Sequence, residues 1–79
     1  MQVGDFYASK CPGGYLVLEV IKRGLFLNTQ GPHTVGMLSR RDSAIEAVIR
    51  MARLEETDAW VSDDVEGDEH SVGRHRPSH

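Results

Sequence analysis

The sequence predicts an α+β domain: a small antiparallel sheet of three to five strands packed on one helix over residues 1–62, then an acidic-to-basic flexible tail over residues 63–79. Three observations predict it. Tyr15–Ile21 is an apolar run rich in aromatic and β-branched residues, which suits a strand. Ile45, Val48, Ile49 and Ala52 recur at i, i+3, i+4 and i+7, one face of a helix. Beyond Ser62 the only aliphatic side chains are Val65 and Val72, too little apolar surface to offset the entropy of ordering the segment.

The elements follow in order. Phe6–Lys10 is the expected first strand. Cys11-Pro12-Gly13-Gly14 is a turn, because proline presets one φ and glycine accepts a positive one. In Tyr15–Ile21, Leu16, Leu18 and Val20 share one face and Tyr15, Val17, Glu19 and Ile21 the other. Lys22-Arg23-Gly24 turns the chain into a return strand at Leu25–Leu27. Asn28–Pro32 is a loop, and His33–Leu38 a further strand weakened by Gly36. Ser39-x-x-Asp42 resembles a capping box for a helix over residues 40–55, whose apolar stripe is widened by Ala44, Met51 and Leu54. Glu46 and Arg50 form an i, i+4 pair. Ala59-Trp60-Val61 closes the sheet. The helix is expected to cover the Leu16, Leu18 and Val20 face.

Composition narrows the class further. The 79 residues are 39% hydrophobic and 27% charged with net charge −3, which excludes collagen-like, coiled-coil and wholly disordered chains. Charge is uneven: +1 over residues 1–57, −6 over 58–70, +2 over 71–79. One cysteine, Cys11, excludes an intrachain disulfide and favours a reducing, cytoplasmic setting. The longest apolar run, Tyr15–Leu18, is far short of the about 20 residues of a membrane helix, so no membrane partner is expected.

Gly13-Gly14-Tyr15 at a strand start, Ala44-Ile45-Glu46-Ala47 in a helix, Met51-Ala52-Arg53 and a closing Trp60-Val61 together resemble a small bacterial domain family of unknown function. The resemblance covers residues 6–62 and implies a hairpin–helix–strand build, with no chemistry to carry over. The chain departs from it in lacking an Asp-Gly turn and a further strand at the end. In size, acidity and layout the chain is also similar to small phage-encoded inhibitors such as anti-CRISPR proteins.

Catalytic and metal-binding patterns are weak. Cys11 and His33 are the residue types of a nucleophile–base pair, but nothing in their spacing joins them. His70, His75 and His79 lie in the expected tail, where Pro77 opposes a ligand-aligning helix. A calcium loop with Gly67 at its sixth position has Ser62 and Gly73 where carboxylates are needed. Glu55-Glu56 and Asp63-Asp64 are adjacent exposed charges, and no glycine pattern cradles phosphate. The expectation is a non-enzymatic protein with no cofactor and no metal.

What remains is binding. If the helix covers Leu16, Leu18 and Val20, then Tyr15, Val17 and Ile21, with Phe26 beside them, form an apolar stripe for another protein or a second copy of the chain. Arg23, Arg40 and Arg41 add a basic spot. Arg40 and Arg41 sit at the positive end of the helix dipole and Glu55 and Glu56 at its negative end, against the usual preference. The alternative is nucleic-acid binding through Arg23, Arg40, Arg41, Arg50 and Arg53, with Tyr15, Phe26 or Trp60 stacking on bases; the near-neutral domain argues against it.

Overall fold

Six elements follow one another in the chain: β1 (Phe6–Cys11), β2 (Gly14–Arg23), β3 (Thr29–Leu38), α1 (Arg41–Glu55), β4 (Asp58–Ser62) and β5 (Glu69–Arg74). They come from a computed structural model that describes residues 2–23, 29–63 and 68–77; the side chains of 22, 23 and 29–32 lie outside the description. The expected turn at Gly24, the return strand at Leu25–Leu27 and Phe26 also lie outside it. One five-stranded sheet in the order β3-β2-β1-β4-β5 packs against one helix, as the α+β reading expects.

The sheet is mixed rather than antiparallel throughout. β1 pairs antiparallel with β2 and parallel with β4, while β2–β3 and β4–β5 are antiparallel. The parallel pair arises because α1 carries the chain from one edge strand back across the sheet to the far side of β1. β3 is longer than expected: residues 29–32, assigned to a loop on their glycine and proline, pair with β2 along an edge, where proline is tolerated.

Cys11 and Gly14 are register partners, so Pro12-Gly13 is a two-residue turn, with Gly13 at φ +89°. Gly14 follows at φ +149°, and a Cβ there would lie 2.3 Å from the Leu38 carbonyl oxygen. This position needs glycine for both conformation and space.

The helix does not start as the sequence suggests. Its N-cap is Arg40, not Ser39, and no side chain caps it. At the other end Glu56 adopts a left-handed conformation, φ 56° and ψ 44°, usually left to glycine. That turn lets the Thr57 amide donate to the Ala52 carbonyl at 2.8 Å and drops the chain straight into β4.

The helix covers the opposite sheet face from the Leu16, Leu18 and Val20 face that was expected. Phe6 and Ala8 of β1, Tyr15 and Val17 of β2, and Ala59 and Val61 of β4 form one buried cluster with Ala44, Val48 and Ala52 of α1. The centre of the helix face is thus Ala44–Val48–Ala52, a small-residue stripe that lets α1 approach the sheet closely. Ile45 and Ile49 flank it, half-buried, and Leu54 is 78% exposed. Tyr15 and Val17 are under the helix, not open to a partner. Ile21 is half-buried and follows them by strand alternation. Leu16, Leu18 and Val20 alternate onto the helix-free side.

The end of the chain is also different. Residues 69–74, expected in a flexible tail, form β5 against β4, with Val72 packed on the core.

Candidate functional site

The fold carries two sites, one that locks it and one on the sheet face away from the helix. The lock is Asp5. Its side chain is 1% exposed. Oδ2 accepts from the Gln2 amide at 2.9 Å and from Trp60 Nε1 at 3.1 Å. Oδ1 accepts from the Asp58 amide at 3.1 Å and from Nε of Arg76 at 3.1 Å, with Arg76 Nη2 as a further donor. Burial opposes the charged carboxylate, but the bonds from Gln2, Arg76, Asp58 and Trp60 outweigh it and hold the carboxyl below its ordinary range. Arg76 Nη2 also donates to the Val3 carbonyl at 2.9 Å, and the His75 amide to Asp58 Oδ1 at 3.1 Å. One carboxylate therefore joins the segment before β1, strand β4 and the segment after β5.

A second polar knot sits at the opposite end of the core. Arg41 Nε and Nη2 each donate to Asp63 at 2.8 Å, and the Tyr15 hydroxyl donates to Asp63 Oδ1 at 2.6 Å. Arg41 and Tyr15 both hold Asp63 well below the carboxylate range; Asp63 in turn raises the Tyr15 hydroxyl and the Arg41 guanidinium. The knot explains Arg41 at the unfavourable end of the helix dipole: its charge is met by a bidentate carboxylate from beyond β4. Tyr15 and Arg41, expected to face a partner, are thus engaged within the chain. Arg40 remains exposed as the N-cap. Arg23 lies in β2, with its side chain outside the description.

The second site lies on the helix-free face of the sheet, where Leu18, Val20 and Ser62 are buried while Tyr7, Leu16 and Trp60 are half-buried and Met37 is exposed. Tyr7 of β1 and Trp60 of β4 are register partners on neighbouring parallel strands. Each lies between core residues, Phe6 and Ala8 around Tyr7 and Ala59 and Val61 around Trp60, so both side chains point away from the helix. Both are half-buried. The Trp60 ring is fixed by its bond to Asp5. Across β1, Tyr7 pairs with Leu18; in the next row Ser9 pairs with half-buried Leu16, which pairs in turn with Met37, 52% exposed. Trp60 faces Ser71, and Ser62 faces Glu69, on β5. Burial, and then the charge of Glu69, raise the Tyr7 hydroxyl above the usual phenol range.

The other candidates are dispersed. Cys11 ends β1, while His33 pairs with Glu19, five residues along β2 from Cys11's partner Gly14, roughly 17 Å away at strand rise. The Cys11–His33 pair is not assembled. His70 is on β5, His75 packs over Gly73, and His79 lies outside the described residues. Among the described residues no three His, Cys, Asp or Glu side chains are grouped to hold a metal, and no helix is long and apolar enough to cross a membrane.

Sequence reasoning missed Tyr7, Leu16 and Met37 as surface residues and Asp5 and Arg76 as a pair. Tyr7 was legible only with the parity of β1 settled; nothing in the sequence links Asp5 to Arg76. In comparisons with protein-family models, curated proteins and solved structures, none matches the chain.

Proposed function

We propose that the protein is a non-enzymatic protein–protein interaction module that binds through the helix-free face of its sheet. The observation that carries this reading is the grouping of Tyr7, Leu16 and Trp60, half-buried, with Met37 at 52% exposure, on one side of a domain whose other side is packed by α1. Tyrosine, tryptophan and methionine are the side chains enriched where proteins meet. Rigid central strands hold the pair, and the Asp5 bond orients the indole. The expected nucleic-acid alternative loses support because Arg41 is held by Asp63 and Arg76 by Asp5, leaving fewer free cations for phosphate. Inhibition of a larger complex by occupying one of its surfaces is one form such a module takes.

The test compares the two faces. A photo-crosslinking residue at Met37 and, separately, at exposed Leu54 on the helix is irradiated in extract from the native cells. A discrete protein adduct, or a self-adduct, from position 37 and none from 54 is expected. Equal adducts from both positions, or adducts to nucleic acid, overturn the reading.

A further inference from the structure

The helix-free face is aromatic at its centre and acidic at one end. Tyr7 and Trp60 occupy directly paired positions on β1 and β4. The adjoining row across the same strands, Ser9, Ser62 and Glu69, consists of two short side chains and a carboxylate on the same face. Ser71, opposite Trp60, is also short. Ser62 is itself buried, so the accessible flank of the two rings is formed by exposed Ser71 and Glu69 on β5. Glu69 is exposed and makes no ion pair with another described residue, and the Tyr7 hydroxyl has no hydrogen-bond partner among them. Glu69 stands one strand beyond Trp60 from Tyr7, and its charge adds to burial in raising the Tyr7 hydroxyl.

Aromatic faces attract cations through the negative face of the ring, and a nearby carboxylate adds a directed charge-assisted hydrogen bond. An arginine or lysine side chain satisfies both at once: its aliphatic stem lies on the rings and its charged head reaches the carboxylate. Asp58 and Asp63 are paired with Arg76 and Arg41, so among the described acids of this segment the exposed ones are Asp68 and Glu69, adjacent to each other where the chain enters β5. We propose that this face binds a basic segment of a protein partner, an arginine or lysine side chain lying on Tyr7 and Trp60 and pairing with Glu69. The inference rests on the interaction-module reading and gives its partner a chemistry.

Trp60 is the only tryptophan, so its fluorescence reports the site directly. The protein is titrated with a hexa-arginine peptide at about 50 mM salt, where screening of an exposed ion pair is modest. A saturable change in Trp60 emission is expected, weakened by added salt and absent with a hexa-glutamate peptide. Glu69→Gln is expected to weaken binding by about fivefold, the scale of one exposed cation interaction. Ser71→Glu adds a carboxylate opposite Trp60 and is expected to strengthen it. Both positions are exposed, so neither change threatens the fold, and far-ultraviolet dichroism checks this.

No change in Trp60 emission, equal affinity of the Glu69→Gln and parent proteins, or a larger response to a thymidine decamer than to hexa-arginine overturns the proposal. Failure here with position-37 crosslinks intact removes the basic partner and leaves the module. Saturable binding here without those crosslinks removes the broader reading of the face instead.

Discussion

Asp5 accepts hydrogen bonds from both Nε and Nη2 of Arg76, a residue 71 positions further along the chain. The carboxylate is nearly fully buried, whereas the arginine side chain is 31% exposed. The asymmetry sets what each contributes: water can solvate much of Arg76 if Asp5 is removed, but nothing replaces the five donors if Asp5 stays and loses them.

Asp5→Ala is therefore expected to destabilise the protein by about 2–4 kcal/mol, because buried donors from Trp60 and Asp58 lose their acceptor. Arg76→Ala leaves a buried carboxylate with its remaining donors and is expected to cost somewhat less. Urea unfolding of both single variants and the double variant measures the coupling; strictly additive effects would contradict the pairing.

The same carboxylates dictate the response to acid. Asp5 and Asp63 both titrate below their ordinary range in the folded state. Their contribution to stability is complete above the unfolded-chain value of about 4 and is lost as pH falls through the lower folded values. Unfolding free energy should be flat from neutral pH to about 5 and fall below about 4. Asp5→Asn is expected to flatten that fall, followed by denaturant titration at stepped pH. At the other extreme, the raised Tyr7 and Tyr15 hydroxyls predict loss of stability as pH rises past about 10.

Glu56 is the single non-glycine residue at positive φ among the described residues, and it places a negative charge where the helix dipole is already negative. Glu56→Gly relieves both and is expected to stabilise by about 0.5–1 kcal/mol, seen as a higher thermal midpoint.

The helix register is tested by two truncations. Val48→Ala opens a void in a site with no solvent exposure and is expected to cost about 2 kcal/mol. Leu54→Ala, at 78% exposure, is expected to change stability by less than about 0.5 kcal/mol. Equal costs would place the helix face elsewhere.

These residues also show how far the sequence was legible. The helix was plain from its spacing, and β2 from its apolar run. The parity of β2 was not, because Leu16, Val17 and Leu18 are apolar in succession and either face satisfies the run. The deciding pattern lies outside β2: Phe6 and Ala8 alternate with Tyr7 and Ser9, and Ala59 and Val61 with Trp60, so Ala8, Ala59 and Val61 form the low centre that admits Ala44, Val48 and Ala52. Strand β5 was hidden because Glu69, His70 and Ser71 carry no apolar signal; backbone pairing, Val72 and the Arg76 anchor hold it. The Asp5 network depends on bringing the chain ends together, which no local pattern encodes. The placing of Glu69 near Tyr7 and Trp60 follows the same logic, since those rings come from β1 and β4.

The parallel register of β1 with β4 has a consequence for how the molecule is made. Phe6 meets Ala59 only after the intervening hairpin and helix have been synthesised, and Asp5 meets Arg76 later still. A growing chain can pair β1 with β2 at once, but the other edge of β1 stays unpaired until β4 has been made, so the β1–β2 hairpin is expected to form before the parallel edge closes.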